Sequence, residues 1–108
     1  MPAYVIFIRE HTNDPQALAV YSAKAPGALA GRPIRPLAMY GAHEVLEGPA
    51  VEGAALLEFP SFEEARAWYY SPAYQEAVRH RLQGARTAAS SSKAYPDNRR
   101  IPRRIAVP

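Results

Sequence analysis

Four kinds of side chain in this sequence have types and spacings that could do chemistry. His43 stands four residues before Glu47. An imidazole near carboxylates can take or pass a proton close to neutral pH; the alternative is a histidine lining a sheet face, hydrogen-bonded or solvated. Glu58 interrupts an apolar run, and a carboxylate removed from water needs a partner. Arg81 or Arg9 would supply it, as a structural ion pair at a subunit face or as part of an acid–base site. Arg81 follows Tyr74 by seven residues, two turns along one helix face. Its guanidinium can hold a carboxylate through paired hydrogen bonds or cap a subunit contact. Trp68, Tyr69, Tyr74 and Tyr21 suit a packed core and interface, and equally the wall of a cleft.

Two functional readings follow. In the first, a small organic molecule, carboxylate-bearing in its fullest form, occupies an aromatic-lined pocket. His43 is then the base, Arg81 orients the ligand and Tyr40 donates a hydrogen bond, with Glu58, Trp68, Tyr74 and Tyr21 as ligand-binding residues. In the second, the chain is a non-catalytic dimerising module for binding or regulation, and Glu58 and Arg81 form interface pairs. His11, His43 and His80 have no partners at metal-ligand spacing and there is no cysteine, so no metal centre is expected. The sequence has neither a glycine-rich phosphate loop nor a nucleophile elbow, and no cofactor is expected.

These residues need elements to position them. Tyr4–Ile8 is a β-branched and aromatic run that predicts a strand buried on both faces. Asp14-Pro15 predicts a helix start, and Leu18, Tyr21, Ala25 and Leu29 give it an apolar stripe, which Pro26 and Gly27 should kink or shorten. Leu37 to Glu47 alternates as a long strand, with Gly41 marking a bulge. Residues 48–53 make a hairpin loop, and residues 54–59 return antiparallel. Pro60 stops that strand. Ser61 and Glu64 form a capping box, Ser71-Pro72 opens a second helical segment, and Gly84 ends it.

The order β-α-β-β-α predicts an α+β, ferredoxin-like two-layer sandwich, which a fourth strand beside the first would complete. Thr87–Ala94 is a poor candidate for that strand, because it holds no bulky apolar residue. The fourth strand is therefore expected to be degraded or missing, leaving the first as an exposed edge. Ile101–Val107 is a weak substitute, interrupted by Pro102. The expected division is a domain over residues 1–86 and an atypical, disordered Arg/Pro-rich tail over 87–108.

Composition narrows the classes. At 108 residues a single domain is expected, and pairing with a second copy would help so small a core. The net charge of +3 is concentrated in the tail: residues 93–108 carry five basic groups against Asp97, so the first 92 residues stand near −1. No basic stripe crosses the body, and nucleic acid is not expected as a partner; a third, weaker reading lets the arginine tail touch acidic polymers. No apolar run is long enough to span a membrane and no charged-then-apolar leader opens the chain, so a cytoplasmic protein is expected.

One combination is specific beyond these physical demands. Tyr40-Gly41, Leu46-Glu47-Gly48, the run from Leu57 to Ser61, Ala67-Trp68-Tyr69, Ser71-Pro72, Tyr74-Gln75 and Arg81 together resemble the bacterial domain-of-unknown-function 1330 family. The resemblance spans about residues 3–86. It implies the dimeric α+β barrel, in which two ferredoxin-like subunits pack sheet to sheet, and a homodimer as the working unit. That class of fold includes cofactor-free monooxygenases and isomerases acting on small aromatics, and haem-handling members; fold alone does not choose among them. The family's chain normally closes on a strand ending Val-Glu-Gly. With TCN serine codons, which shift to Phe, Leu, Ile or Val codons, and with suitable bases at the other positions, Thr87–Ala94 read one base earlier can encode Tyr-Arg-Ser-Phe-Ile-Val-Glu-Gly. The expectation is that the chain changes reading frame near Arg86.

Overall fold

The computed structural model describes residues 1–95. Its elements are β1 (Ala3–Thr12), α1 (Pro15–Leu29), β2 (Arg35–Met39), β3 (Gly53–Phe59), α2 (Phe62–Tyr69), α3 (Pro72–Gly84) and β4 (Ala85–Lys93). The four strands form one antiparallel sheet in the order β2-β3-β1-β4. This is the ferredoxin-like α+β arrangement expected from the element order.

Period-two alternation decides which side of the sheet is covered. Ala3, Val5 and Phe7 of β1 lie opposite Phe59, Leu57 and Ala55 of β3, and all six are buried. Trp68 and Ala65 of α2, Tyr74 and Val78 of α3 and Ala28 of α1 close over them. On the other face Tyr4, Ile6 and Ile8 lie opposite Glu58, Leu56 and Ala54, and all six are half-buried. The strand Tyr4–Ile8 is thus covered on one face rather than both within a single chain.

Local chemistry sets the helix starts. The Asp14 carboxylate accepts from the backbone N–H of Gln16 and Ala17, with Pro15 in the first turn. Ser61 Oγ accepts from Glu64 N at 3.1 Å. Ser71 does two things: its Oγ accepts from Tyr74 N at 3.2 Å and donates to Trp68 O at 2.7 Å, which joins α2 to α3. Gly84 ends α3 for a reason other than backbone freedom. A Cβ there would lie 2.7 Å from Leu18 N, and its carbonyl accepts from Asn13 N and Asp14 N. The end of α3 and the start of α1 therefore pack backbone to backbone.

Three expectations need correction. The fourth strand is present: β4 pairs with β1 from Ala3↔Lys93 to Thr12↔Ala85. Its ladder is made by main-chain groups, which short side chains do not weaken, and it occupies the half of the β1 ladder that β3 leaves open. So β1 is not an exposed edge, and residues 87–93 are strand. Ile101–Val107 and the rest of the tail beyond residue 95 lie outside the described residues. What the small side chains change is packing. Ala89 and Ser91, in register with Phe7 and Val5, leave a cleft of about 240 Å³ against Ala65, Tyr69 and Tyr70.

Second, α1 runs through Pro26 to Leu29 rather than stopping; proline removes one helix hydrogen bond there, and packing of Ala28 and Leu29 against the core holds the last turn. Third, the strand expected over Leu37 to Glu47 ends at Met39. Tyr40 adopts φ +56°, a left-handed conformation that takes the chain out of the sheet. Residues 40–52 form a connecting segment without strand structure.

Candidate functional site

The sheet and the helices that cover it meet at a pocket of about 180 Å³. Phe7 of β1, Ala55 and Leu57 of β3 and Trp68 of α2 supply its inner wall, while Tyr21 and Leu29 of α1 and Tyr40 supply the outer one. An apolar void of about 150 Å³ takes a benzene molecule, so this one suits a single ring. The lining carries no carboxylate and no imidazole.

Tyr40 is held on both sides. A Cβ at Gly53 would come within 3.0 Å of its ring, so glycine at 53 makes room for it. The Arg9 guanidinium lies 4.5 Å from the ring centroid, a cation–π contact. Arg9 Nε is 3.2 Å from Glu52 Oε1, a charge contact that is not aligned as a hydrogen bond. Glu52 also accepts from the Thr12 hydroxyl and from Thr12 N. Those bonds, helped by Arg9 and His11, hold its carboxyl below the usual glutamate range. The left-handed backbone at Tyr40 is a strained conformation for a bulky residue, and Glu52, Arg9 and Gly53 together fix it.

Behind the pocket lies a group of donors. Trp68 is 2 % exposed and its indole N–H has no acceptor among the described residues. Its ring lies against that of Tyr74, with centroids 4.1 Å apart and planes tilted by 39°. The Tyr74 hydroxyl lies 2.9 Å from that of Tyr21. Burial, and then the neighbouring Tyr21, raise the Tyr74 phenol far above its ordinary value, so it stays neutral. Burial, then Tyr21, also raise Tyr40, against the opposing pull of Arg9 and Arg81.

Arg81, 2 % exposed, sits over the rings of Phe7 at 5.2 Å and Tyr21 at 5.7 Å. It forms no salt bridge among the described residues, and its Nε and Nη1 are buried without acceptors. An arginine cannot escape its charge by losing a proton, so this is a buried cation whose surroundings are rings and phenols.

Of the residues singled out from the sequence, Tyr21, Tyr40 and Trp68 line the pocket, and Tyr74 and Arg81 stand directly behind it. Two do not join them. His43 is exposed on the segment after Tyr40, with Nε2 3.1 Å from Val51 O; the turn at Tyr40 removes it from the strand in which it was expected. Glu58 lies on the open sheet face, opposite Tyr4, and pairs with Arg35 at 3.0 Å rather than with Arg81 or Arg9. Arg9, Glu52 and Gly53, which brace Tyr40 without lining the pocket, were not singled out for that part. The signal for them is the register Arg9↔Gly53, which appears only once the strand ends are known. No group of three or more metal-ligating side chains occurs among the described residues. Among them, too, no helix is long and apolar enough to cross a membrane.

Comparison with solved structures shows the same fold. A protein of unknown function from Rhodopseudomonas palustris superposes with a TM-score of 0.69 at 17% identity, over 89% of this chain and 84% of that one. A dimeric ferredoxin-like protein of unknown function from Thermobifida fusca gives 0.60 at 15% identity, over 87% and 92%. SnoaB, a cofactor-independent oxygenase from Streptomyces nogalater, gives 0.57 at 9% identity, over 90% and 96%. No curated protein matches the chain. The sequence pattern itself extends further than the resemblance first read from it: residues 2–95 match the profile described as Domain of unknown function (DUF1330), and the chain belongs to that family.

Proposed function

We propose that this chain is a homodimeric module whose inner pocket holds a small, single-ring organic molecule. The observation that carries the reading is the pocket itself, an aromatic-walled space of about 180 Å³ with buried donors behind it. Support for the dimer comes from the open sheet face, where Tyr4, Ile6, Ile8 and Leu56 form an apolar surface with no cover of their own. The Thermobifida fusca neighbour is described as dimeric. A working site in the cytoplasm fits a chain without cysteine.

Binding is favoured over catalysis. His43 lies outside the pocket and the lining offers no other base, so Tyr40 and Arg81 keep only the ligand-holding parts of their assigned roles. The second reading, a cofactor-independent enzyme, draws on SnoaB, described as a cofactor-independent oxygenase. A thermal-shift screen of single-ring compounds, with light scattering on the same samples, tests the first reading. The expected result is a dimer whose melting temperature rises with a subset of the panel and does not rise in Ala25→Phe, which fills the pocket from α1. A monomer, or shifts that survive Ala25→Phe, would overturn it.

A further inference from the structure

The interior beside the pocket has donors in excess. Arg81 Nε and Nη1 and Trp68 Nε1 are buried without acceptors among the described residues. Buried polar groups are nearly always paired, and each exception calls for a reason. Each of these three atoms is a donor, and two of them belong to a cation with no anion beside it. A neutral ring would leave that positive charge without a counter-ion.

Proton direction can be followed through the tyrosines. Arginine has donors and no acceptor. The Arg81 guanidinium sits 5.7 Å from the centroid of the Tyr21 ring, and its positive charge acts on both the Tyr74 and the Tyr21 hydroxyls. Tyr74 has no exposed surface, and its own proton has the Tyr21 oxygen 2.9 Å away as its partner. Tyr21 then keeps its proton free, and Tyr21 is the member of the series that lines the pocket. With Tyr74 donating to Tyr21, the free proton points toward the ligand, and the Arg81 charge stands behind both hydroxyls.

We propose that the pocket's ligand is a single-ring aromatic carboxylate, whose anionic oxygen accepts from the Tyr21 hydroxyl while Tyr74 and Arg81 behind it supply direction and countercharge. This rests on the pocket reading above. Tyr21 touches the ligand; Tyr74 and Arg81 are positioning residues that act through it. The ligand's ring fills the space bounded by Phe7, Leu57 and Trp68, and its charge offsets the buried guanidinium, which otherwise bears the cost of desolvation alone. No covalent step is involved.

The test is calorimetric titration of the full-length protein with benzoate and, separately, with benzamide, which has the same ring and no charge. Benzoate is expected to bind about tenfold tighter or better, the scale of one hydrogen bond to a charged group. In Tyr21→Phe, which removes one oxygen from a half-buried residue, the preference should collapse while benzamide binding changes little. Arg81→Met should give the same loss of selectivity, and its melting curve shows whether the fold survives. The ratio of the two affinities is the decisive quantity, since a residue that merely supports the fold would weaken both probes together. Equal affinities in the wild type, or a preference unchanged in Tyr21→Phe, overturn the anion assignment and leave the pocket standing. Binding of neither probe overturns both.

Discussion

The hydroxyl of Tyr21 lies 2.9 Å from that of Tyr74, across the junction of α1 and α3. One residue walls the pocket and the other has no exposed surface, so the pair connects the interior to the space where a ligand would sit. The junction depends on Gly84, whose lack of a side chain lets the two helices meet. Substituting Gly84→Ala puts a methyl group 2.7 Å from Leu18 N, a backbone atom that cannot swing aside. A loss of roughly 1–3 kcal/mol is expected, the usual range for overpacking. Urea unfolding checks it, and no change in midpoint would show that the helices are free to separate.

The cleft beside β4 makes the opposite prediction. Ser91 faces Val5 across the ladder and borders the cleft with Ala65 and Tyr69. Ser91→Ile should fill part of it and stabilise the chain by about 0.5–2 kcal/mol, as cavity-filling changes do. Chemical denaturation measures this. The frame-change proposal shares the same position, because the earlier frame would encode an apolar residue there, isoleucine in the reading given above. It also alternates correctly, sending the phenylalanine and valine codons at 90 and 92 to the open face beside Ile6 and Tyr4. Sequencing the coding DNA should show TCN codons at Ser90, Ser91 and Ser92; any other serine codon removes the proposal.

Glu52 gives a pH dependence. Its carboxyl is held below the ordinary value of 4.5, first by the Thr12 hydroxyl, then by Thr12 N. A group depressed in the folded state stabilises it above its unfolded value and loses that contribution as pH falls through the folded one. Stability should therefore decline below pH 4.5, and Glu52→Gln should flatten that part of the curve. Melting temperatures across the acid range measure it; identical acid limbs in the two proteins would place the sensitivity elsewhere.

The open sheet face predicts an assembly. Leu56 lies opposite Ile6 at its centre. Leu56→Lys should convert the dimer to monomer by light scattering, since a lysine directed into an apolar interface has no partner there. A dimer that persists would place the contact on another surface.

How much of this was legible depended on whether the deciding interaction was local. Asp14, Ser61 and Ser71 are caps that act within one turn, and each starts its helix where the sequence places it. Strand β1 was recognisable because its apolar residues are consecutive. Strand β4 was not, because its ladder consists of main-chain groups and TAASSSK advertises nothing. The left-handed turn at Tyr40 was nearly silent: Gly41 beside it suggested a bulge, but the positive φ falls on Tyr40 itself, which packs against Gly53 and Arg9. That one dihedral displaced His43 from the site. Tyr74 and Arg81 could be put on one helix face by spacing, but Tyr21 joined them only through the α1–α3 packing.

Trp68 is the only tryptophan in the chain and lines the pocket, so its emission reports directly on whether a ring enters. Titrating the protein with benzoate while recording tryptophan fluorescence is therefore the sharpest test of the central claim. The expected result is a saturable change in emission that disappears in Ala25→Phe. An emission spectrum that benzoate leaves unchanged, or that responds equally in Ala25→Phe, would contradict it.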